Sequence, residues 1–270
     1  MVHSAPLNKL DLVAASAADD AGFVALHDVA KLVGHPEFEK SLVIGGHMVS
    51  LHVQRWGLSL PRQTQDTDLG IPQLALNTTN IGPVMDALGY KRIRSNRFAK
   101  RVIDTPSDQP ESEAIVDVLV PALTSHPRKN VKVGDVTTIE VMGLGEALNR
   151  PRVVVDLKLT LRNKKVLAAA IKIADERSAL ILKTMAWNAR TEGKDAVDMW
   201  RCLEIANAAA LGPSDFNSDD GARMMTILQQ AFGSEKSSGA MALASSQGLS
   251  QSAMIARMTR IRALIQKLQA

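Results

Sequence analysis

Two short apolar segments constrain the fold most, because each carries residues that an apolar segment has no ordinary use for. Leu42-Val43-Ile44 runs directly into Gly45-Gly46-His47. Further along, Arg62-Gln63-Thr64-Gln65-Asp66-Thr67-Asp68-Leu69-Gly70-Ile71 sets two carboxylates one residue apart at the mouth of a second apolar run. On a strand, residues i and i+2 point to one face, so Asp66 and Asp68 project together. Carboxylates sharing a face repel unless a cation lies between them. Hard oxygen ligands of this kind suit Mg²⁺, which takes one or two carboxylates together with substrate phosphates. Gly45 and Gly46 let backbone N–H groups approach a phosphate, and a helix beginning there adds its positive end. Phosphate cradle and metal-binding strand together point to chemistry on a nucleoside triphosphate.

A third acid fits the same scheme. Asp117 lies inside Ile115-Val116-Asp117-Val118-Leu119-Val120, where a carboxylate is costly to bury without a partner. A metal shared with Asp66 and Asp68 is one such partner, and a basic residue such as Arg101 is another. Three carboxylates can hold two Mg²⁺ ions, which lower the pKa of an attacking hydroxyl and stabilise an in-line phosphoryl transition state.

The rest of the chain alternates and then changes character. Leu10 to Val33 reads as one amphipathic helix ended by Gly34 and Pro36, Leu42 to Ile44 as a buried strand, and His47 to Trp56 as a helix. Asp66 to Ile71 is a strand and Asn80 to Leu88 a helix. Tyr90–Arg94 and Phe98–Ile103 are strands paired around Ser95-Asn96, followed by a polar loop over Thr105 to Ser112. Ala114 to Val120 is a buried strand, Val131 to Val141 one or two more, and Leu144 to Asn149 a short helix. Val153 to Leu161 alternates, and Val166 to Ile173 is either a strand or a buried helix. From Asp175 onward the chain reads as helices. The expected architecture is an α/β (α+β) lobe over 1–174, with a mixed sheet, and a helical lobe over 175–270.

Composition narrows the function classes. Aromatic residues make up only 3% of the 270 residues, which argues against a single-strand binder that stacks bases on aromatic platforms. The one cysteine, Cys202, rules out a disulfide within the chain and fits a reducing cytoplasm. The first residues lack a signal-peptide pattern and no apolar run is long enough for a membrane span, so a cytoplasmic protein without membrane contact is expected. A net charge of +4 permits nucleic-acid binding without requiring it.

Gly45-Gly46, Asp66-x-Asp68 and the later strand acid Asp117 resemble the signature of the nucleotidyltransferase superfamily, with its DNA polymerase β-like fold. The block Arg-x-Thr-x-Asp-x-Asp at 62–68, then Lys183, then Arg190-Thr191-Glu192-Gly193-Lys194-Asp195-Ala196-Val197-Asp198, resembles more narrowly the AbiEii/AbiGii-type toxins, including the MenT toxins. The resemblance runs from about Leu42 to Leu203. His47 stands where the superfamily more often carries Ser or Thr.

The resemblance implies Mg²⁺-dependent transfer of a nucleotide from an NTP to an acceptor hydroxyl, with two metal ions held by Asp66, Asp68 and Asp117. It gives Lys183 the triphosphate, makes Asp198 necessary for activity, and places Gly45, Gly46, His47, Arg62 and Lys194 at the nucleotide. It further implies RNA, the tRNA 3′ end, as acceptor, in a toxin–antitoxin or phage-defence setting with a cognate antitoxin as partner. Read from the residues alone, Lys183 is equally a solvated helix lysine, and Lys194 with Asp198 an i,i+4 charge pair. The alternatives are a small-molecule nucleotidyltransferase of the antibiotic-modifying kind and a catalytically silent nucleotide-binding regulatory module. An RNA acceptor calls for a basic path, for which Arg55, Arg62, Arg94, Arg97 and Arg101 are the candidates.

Overall fold

The computed structural model describes residues 5–59, 64–102 and 112–270. Arg62 and, of the loop expected over Thr105 to Ser112, all but Ser112 lie outside the described residues, and Ser112 is the first residue of a strand instead. The first element corrects the sequence reading: Lys9–Val13 is a strand, β1, and helix α1 covers only Ala17–Val33. Two local facts decide this. Leu10 and Leu12 pair in register with Leu157 and Leu159 of a distant strand, so tertiary pairing overrides the helical spacing. Ser16 then builds a capping box, its hydroxyl accepting from the Asp19 N–H at 3.1 Å while the Asp19 carboxylate accepts from the Ser16 N–H at 3.0 Å. A helix start satisfied in this way belongs at Ala17, not upstream.

The elements that follow are β2 (Leu42–Ile44), α2 (Gly45–Arg55), β3 (Asp66–Gly70), α3 (Gln73–Thr78), α4 (Ile81–Ala87), β4 (Lys91–Arg92), β5 (Arg97–Val102) and β6 (Ser112–Pro121). Next come β7 (Val131–Val133), β8 (Val136–Val141), α5 (Leu144–Asn149), β9 (Val153–Thr160) and β10 (Val166–Ile173). The alternatives at 166–173 resolve to a strand, antiparallel to β9 along its whole length. After β10 the chain is helical: α6 (Glu176–Arg190), α7 (Gly193–Ala208), α8 (Asp219–Phe232), α9 (Ser238–Gln247) and α10 (Gln251–Lys267). Ser218 caps α8, its hydroxyl accepting from the Gly221 N–H at 3.1 Å. None of the helices described is long and apolar enough to cross a membrane.

The strands form one mixed sheet in the order β1-β9-β10-β2-β3-β6-β5-β4, with β8 joining β6 and β7 joining β8. The carboxylate strands occupy its middle. β3 runs antiparallel to β2 and parallel to β6, with Asp68 opposite both Ile44 and Asp117. On its edge away from β3, β6 serves two neighbours in turn: β5 pairs with Ser112 to Asp117, and β8 with Leu119 to Pro121.

Sheet alternation then assigns the faces. Thr67, Leu69, Val116 and Val118 are fully buried and lie on the reverse face from Asp66, Asp68 and Asp117, against which α1 packs. Each such aliphatic side chain stabilises the fold by about 1.5–3 kcal/mol. One continuous apolar cluster, from Leu10 to Leu268, joins sheet and helices.

A buried polar clasp ties the end of α2 to the start of α6. Arg55 donates to the Glu176 carboxylate at 2.7 Å, the Trp56 indole donates to the same oxygen at 2.9 Å, and His52 reaches the Ala174 carbonyl at 2.8 Å. Arg55 is therefore a buried structural residue, not part of a basic surface path.

The turn from β2 into α2 is tight. Gly45 is the first residue of α2 and adopts φ +70°, and a Cβ there would sit 1.8 Å from Oδ2 of Asp68. Only glycine meets both demands. Gly45→Ala should lower stability by more than about 1 kcal/mol, seen as a reduced urea midpoint. Adding Asp68→Ala should recover part of the loss, because it removes the carboxylate overlap and leaves a 2.9 Å Cβ–Cβ contact and the backbone strain. A double variant no more stable than Gly45→Ala alone would show that the carboxylate contact contributes nothing.

Candidate active site

Because β3 and β6 are parallel and in register at Asp68 and Asp117, all three acids predicted from the sequence share one face of the sheet. They line a cleft of about 330 Å³ together with Gly46, Thr64, Gln65, Arg97, Lys183, Arg190, Lys194 and Asp195. One wall is thus acidic and carried by strands. The other is basic and carried by the α6–α7 hairpin, and the first turn of α2 opens between them.

The acids are not alone on their wall. Arg97, the first residue of β5, lies opposite Asp117 in the antiparallel register. Its Nε and Nη2 donate to the two oxygens of Asp117 at 2.9 and 2.6 Å, and Nη2 also donates to Asp66 at 2.9 Å. The hydrogen bond to Asp117 pushes the guanidinium pKa further up, so Arg97 stays charged. The sequence reading offered Arg101 as a basic partner for Asp117; the partner is Arg97, which is correspondingly withdrawn from the basic path. Nothing in the hydrophobic pattern signals this, since it follows from where the 93–97 turn sets the register.

Asp68 has no such fork beside it. Burial pushes its carboxyl up to about 6, Asp117 and Asp66 add to the rise, and Lys183 and Arg190 oppose it.

The basic wall is built by ion pairs within the helical hairpin. Lys183, on α6, places Nζ 2.8 Å from the Asp198 carboxylate on α7, and Arg201 donates to the other oxygen of Asp198 at 3.0 Å. Arg201 also reaches Ser50 of α2 at 3.2 Å. Asp198 is wholly buried, while Lys183 reaches the cleft. Asp198 therefore sits behind the lysine and positions it. Arg190 forms a two-pronged pair with the buried Asp195 at 2.8 and 3.1 Å. Lys194 pairs with Glu192 at 2.8 Å and remains half exposed at the rim. Neither Arg190 nor Asp195 was among the site residues expected from the sequence; their five-residue spacing across the Thr191 turn was the available signal.

His47 lies elsewhere. Its Nδ1 is 3.0 Å from the Thr67 hydroxyl, on the reverse face of β3, and a Cβ on Gly22 of α1 would meet its Nε2 at 2.8 Å. Its ring lines a separate groove of about 380 Å³ with Asp11, Phe23, Ser50 and Gln54. Only its backbone belongs to the α2 terminus, where the first-turn N–H groups have no partner within the helix.

Among the described residues, no three His, Cys, Asp or Glu side chains close on a common metal position; Asp66 and Asp117 are turned onto Arg97 instead. The donor set nevertheless suits a hard divalent cation. It consists of carboxylate oxygens only, on one face, and a cation is already drawn between two of them.

No protein-family model matches the chain, and no curated protein matches it. Among solved structures, it is similar to an antigenic nucleotidyltransferase-like protein from Paracoccidioides brasiliensis, with a TM-score of 0.42 and 13% identity over 82% of this chain and 92% of that one.

Two outcomes are expected of the site's electrostatics. Asp198→Ala leaves Lys183 and Arg201 without their shared buried carboxylate and should cost about 3–5 kcal/mol in chemical denaturation; a loss below about 1 kcal/mol would refute its role in holding them. The raised pKa of Asp68 works the other way. A folded carboxyl at about 6 against 3.8 when unfolded binds its proton more tightly in the fold, so stability falls as pH rises from the unfolded value through the folded one. Asp68→Asn should thus be more stable than wild type above pH 6, by about 3 kcal/mol, and indistinguishable from it below the unfolded value. A pH-independent difference would contradict the assignment.

Proposed function

We propose that the protein is a nucleotidyltransferase that moves a nucleoside monophosphate from an NTP to an acceptor hydroxyl. The observation that carries this reading is the single cleft in which Asp66, Asp68 and Asp117 stand across from Lys183, Arg190 and Lys194, beside the open N-terminus of α2. A triphosphate needs donors and positive charge along its length, which the basic wall and the first-turn N–H groups of Gly45, Gly46 and His47 supply. Lys183 acts as a point charge whose direction is set by Asp198. The acceptor oxygen forms a bond to the α-phosphorus, the bond to pyrophosphate breaks, and the hydroxyl proton passes to a carboxylate of the acidic wall. The three carboxylates are the residues that would hold Mg²⁺, which when bound lowers the pKa of the hydroxyl and offsets charge on the phosphates.

For the acceptor, the resemblance favours RNA, the tRNA 3′ end, and with it a toxin or phage-defence role and an antitoxin partner. One observation favours a small hydroxylated acceptor instead. Arg55, Arg92 and Lys100, all on or near the expected basic path, are engaged by Glu176, Asp135 and Asp28, and Arg97 by the acidic wall. Arg94 and Arg101 of that path are exposed, Arg101 with an interaction of its own.

Incubation with each labelled NTP, Mg²⁺ and either total RNA or small hydroxylated substrates tests both levels. Label should appear in one acceptor class and vanish in Asp66→Ala/Asp68→Ala, whereas wild-type rates from that variant would sink the proposal. If RNA is the acceptor, its binding should weaken steeply between about 50 and 200 mM salt; flat binding together with efficient transfer to a small hydroxyl compound selects the second reading.

A further inference from the structure

We propose that Arg97 is a displaceable internal counter-ion: its guanidinium holds the place of a divalent cation between Asp66 and Asp117, and the metal enters by driving it out. The inference rests on the metal-dependent reading above and concerns how such a site is kept empty and then filled.

The geometry carries it. Arg97 bridges two of the three acids, with a fork on Asp117 and one shared nitrogen on Asp66. A metal bound by both carboxylates needs the same oxygens, at shorter range, so guanidinium and metal exclude each other. The other cations of the cleft are tied differently. Lys183 is held by Asp198 behind the wall, Arg190 by Asp195 and Lys194 by Glu192, and none of these three partners is one of the three strand acids.

Arg97 is also placed to leave. Its backbone is pinned in the turn that opens β5, where the Ile93 N–H donates to the Arg97 carbonyl at 3.0 Å. Its side chain, however, is 29% exposed, against 7% for Lys183 and 1% for Arg201. A rotation about the side-chain bonds moves the guanidinium to the cleft mouth without disturbing the strand. There it is a planar fork of five N–H donors, suited to grip a phosphate two-pronged. Nucleotide and metal therefore assist each other: the phosphates take the arginine and the metal takes the carboxylates. Metal without nucleotide has to displace the arginine unaided and binds weakly.

The experiment measures Mn²⁺ binding without nucleotide, from the electron paramagnetic resonance signal of the free ion, for the wild type, Arg97→Ala and Arg97→Lys. Arg97→Ala should bind Mn²⁺ at least about tenfold more tightly than wild type, a difference of about 1.4 kcal/mol. Arg97→Lys keeps a charge but loses the fork and should fall between the two. If Arg97→Ala does not fold, a several-fold gain in Arg97→Lys carries the same conclusion. Equal affinity in the wild type and every folded variant overturns the proposal while leaving a metal site intact. A gain that survives the addition of Asp66→Asn/Asp117→Asn puts the metal elsewhere and overturns it as well. Mn²⁺ bound by no variant, Arg97→Ala included, instead removes the metal-dependent reading on which the inference stands.

Discussion

Three carboxylates on one face of two adjacent strands repel one another, and most of the surrounding structure answers that repulsion. Parallel register puts Asp68 beside Asp117, and strand alternation adds Asp66 to the same face. Arg97 neutralises two of them at contact distance, and Lys183 and Arg190 act on Asp68 from the opposite wall. The raised pKa of Asp68 reflects its burial first and the neighbouring carboxylates second. A fold selected only for stability would place an aliphatic residue at such a position; this one retains charges that are balanced from two separate elements, β5 and α6.

The basic wall shows the complementary solution. A lysine nearly closed off from solvent is costly unless its charge is met, and Asp198 meets it while being shared with Arg201. That second arginine reaches α2 through Ser50. The helix whose first turn opens at the cleft and the helical hairpin that supplies the cations are thereby linked at a buried carboxylate, in addition to the Arg55–Glu176 clasp.

Much of this was legible in the sequence, and the failures are instructive. Short apolar runs located β2, β3 and β6 to within a residue or two, because buried strands leave a compact signal. The i,i+2 acids and the lone acid in an apolar run are read from strand alternation alone. Leu10 and Leu12 misled because their partners lie near residue 158, and no local window contains them. His47 was assigned by position after the glycines, but a helix begins within those glycines and turns the imidazole toward α1. Arg97 was counted with its basic neighbours because charge density is visible in a sequence and register is not. Asp198 was named from the resemblance, yet its place behind Lys183 became clear only when two helices were seen packed face to face.

The pairing of β1 with β9 has a consequence for how the chain comes to be folded. Lys9 lies opposite Asp156, and Val13 opposite Thr160, so the first strand of the protein finds its neighbour only after most of the chain exists. During synthesis from the N-terminus, Leu10 and Leu12 have no partner strand, while the β2–β3–β6 centre already has its elements in hand. Contacts of such long sequence separation form slowly because their loop-closure entropy comes first. The carboxylate strands are thus available to assemble early. The sheet is completed only late, when β9 and its hairpin partner β10 arrive to bridge the waiting first strand to the centre, and until then the chain has an unpaired edge for a chaperone, or another nascent chain, to meet.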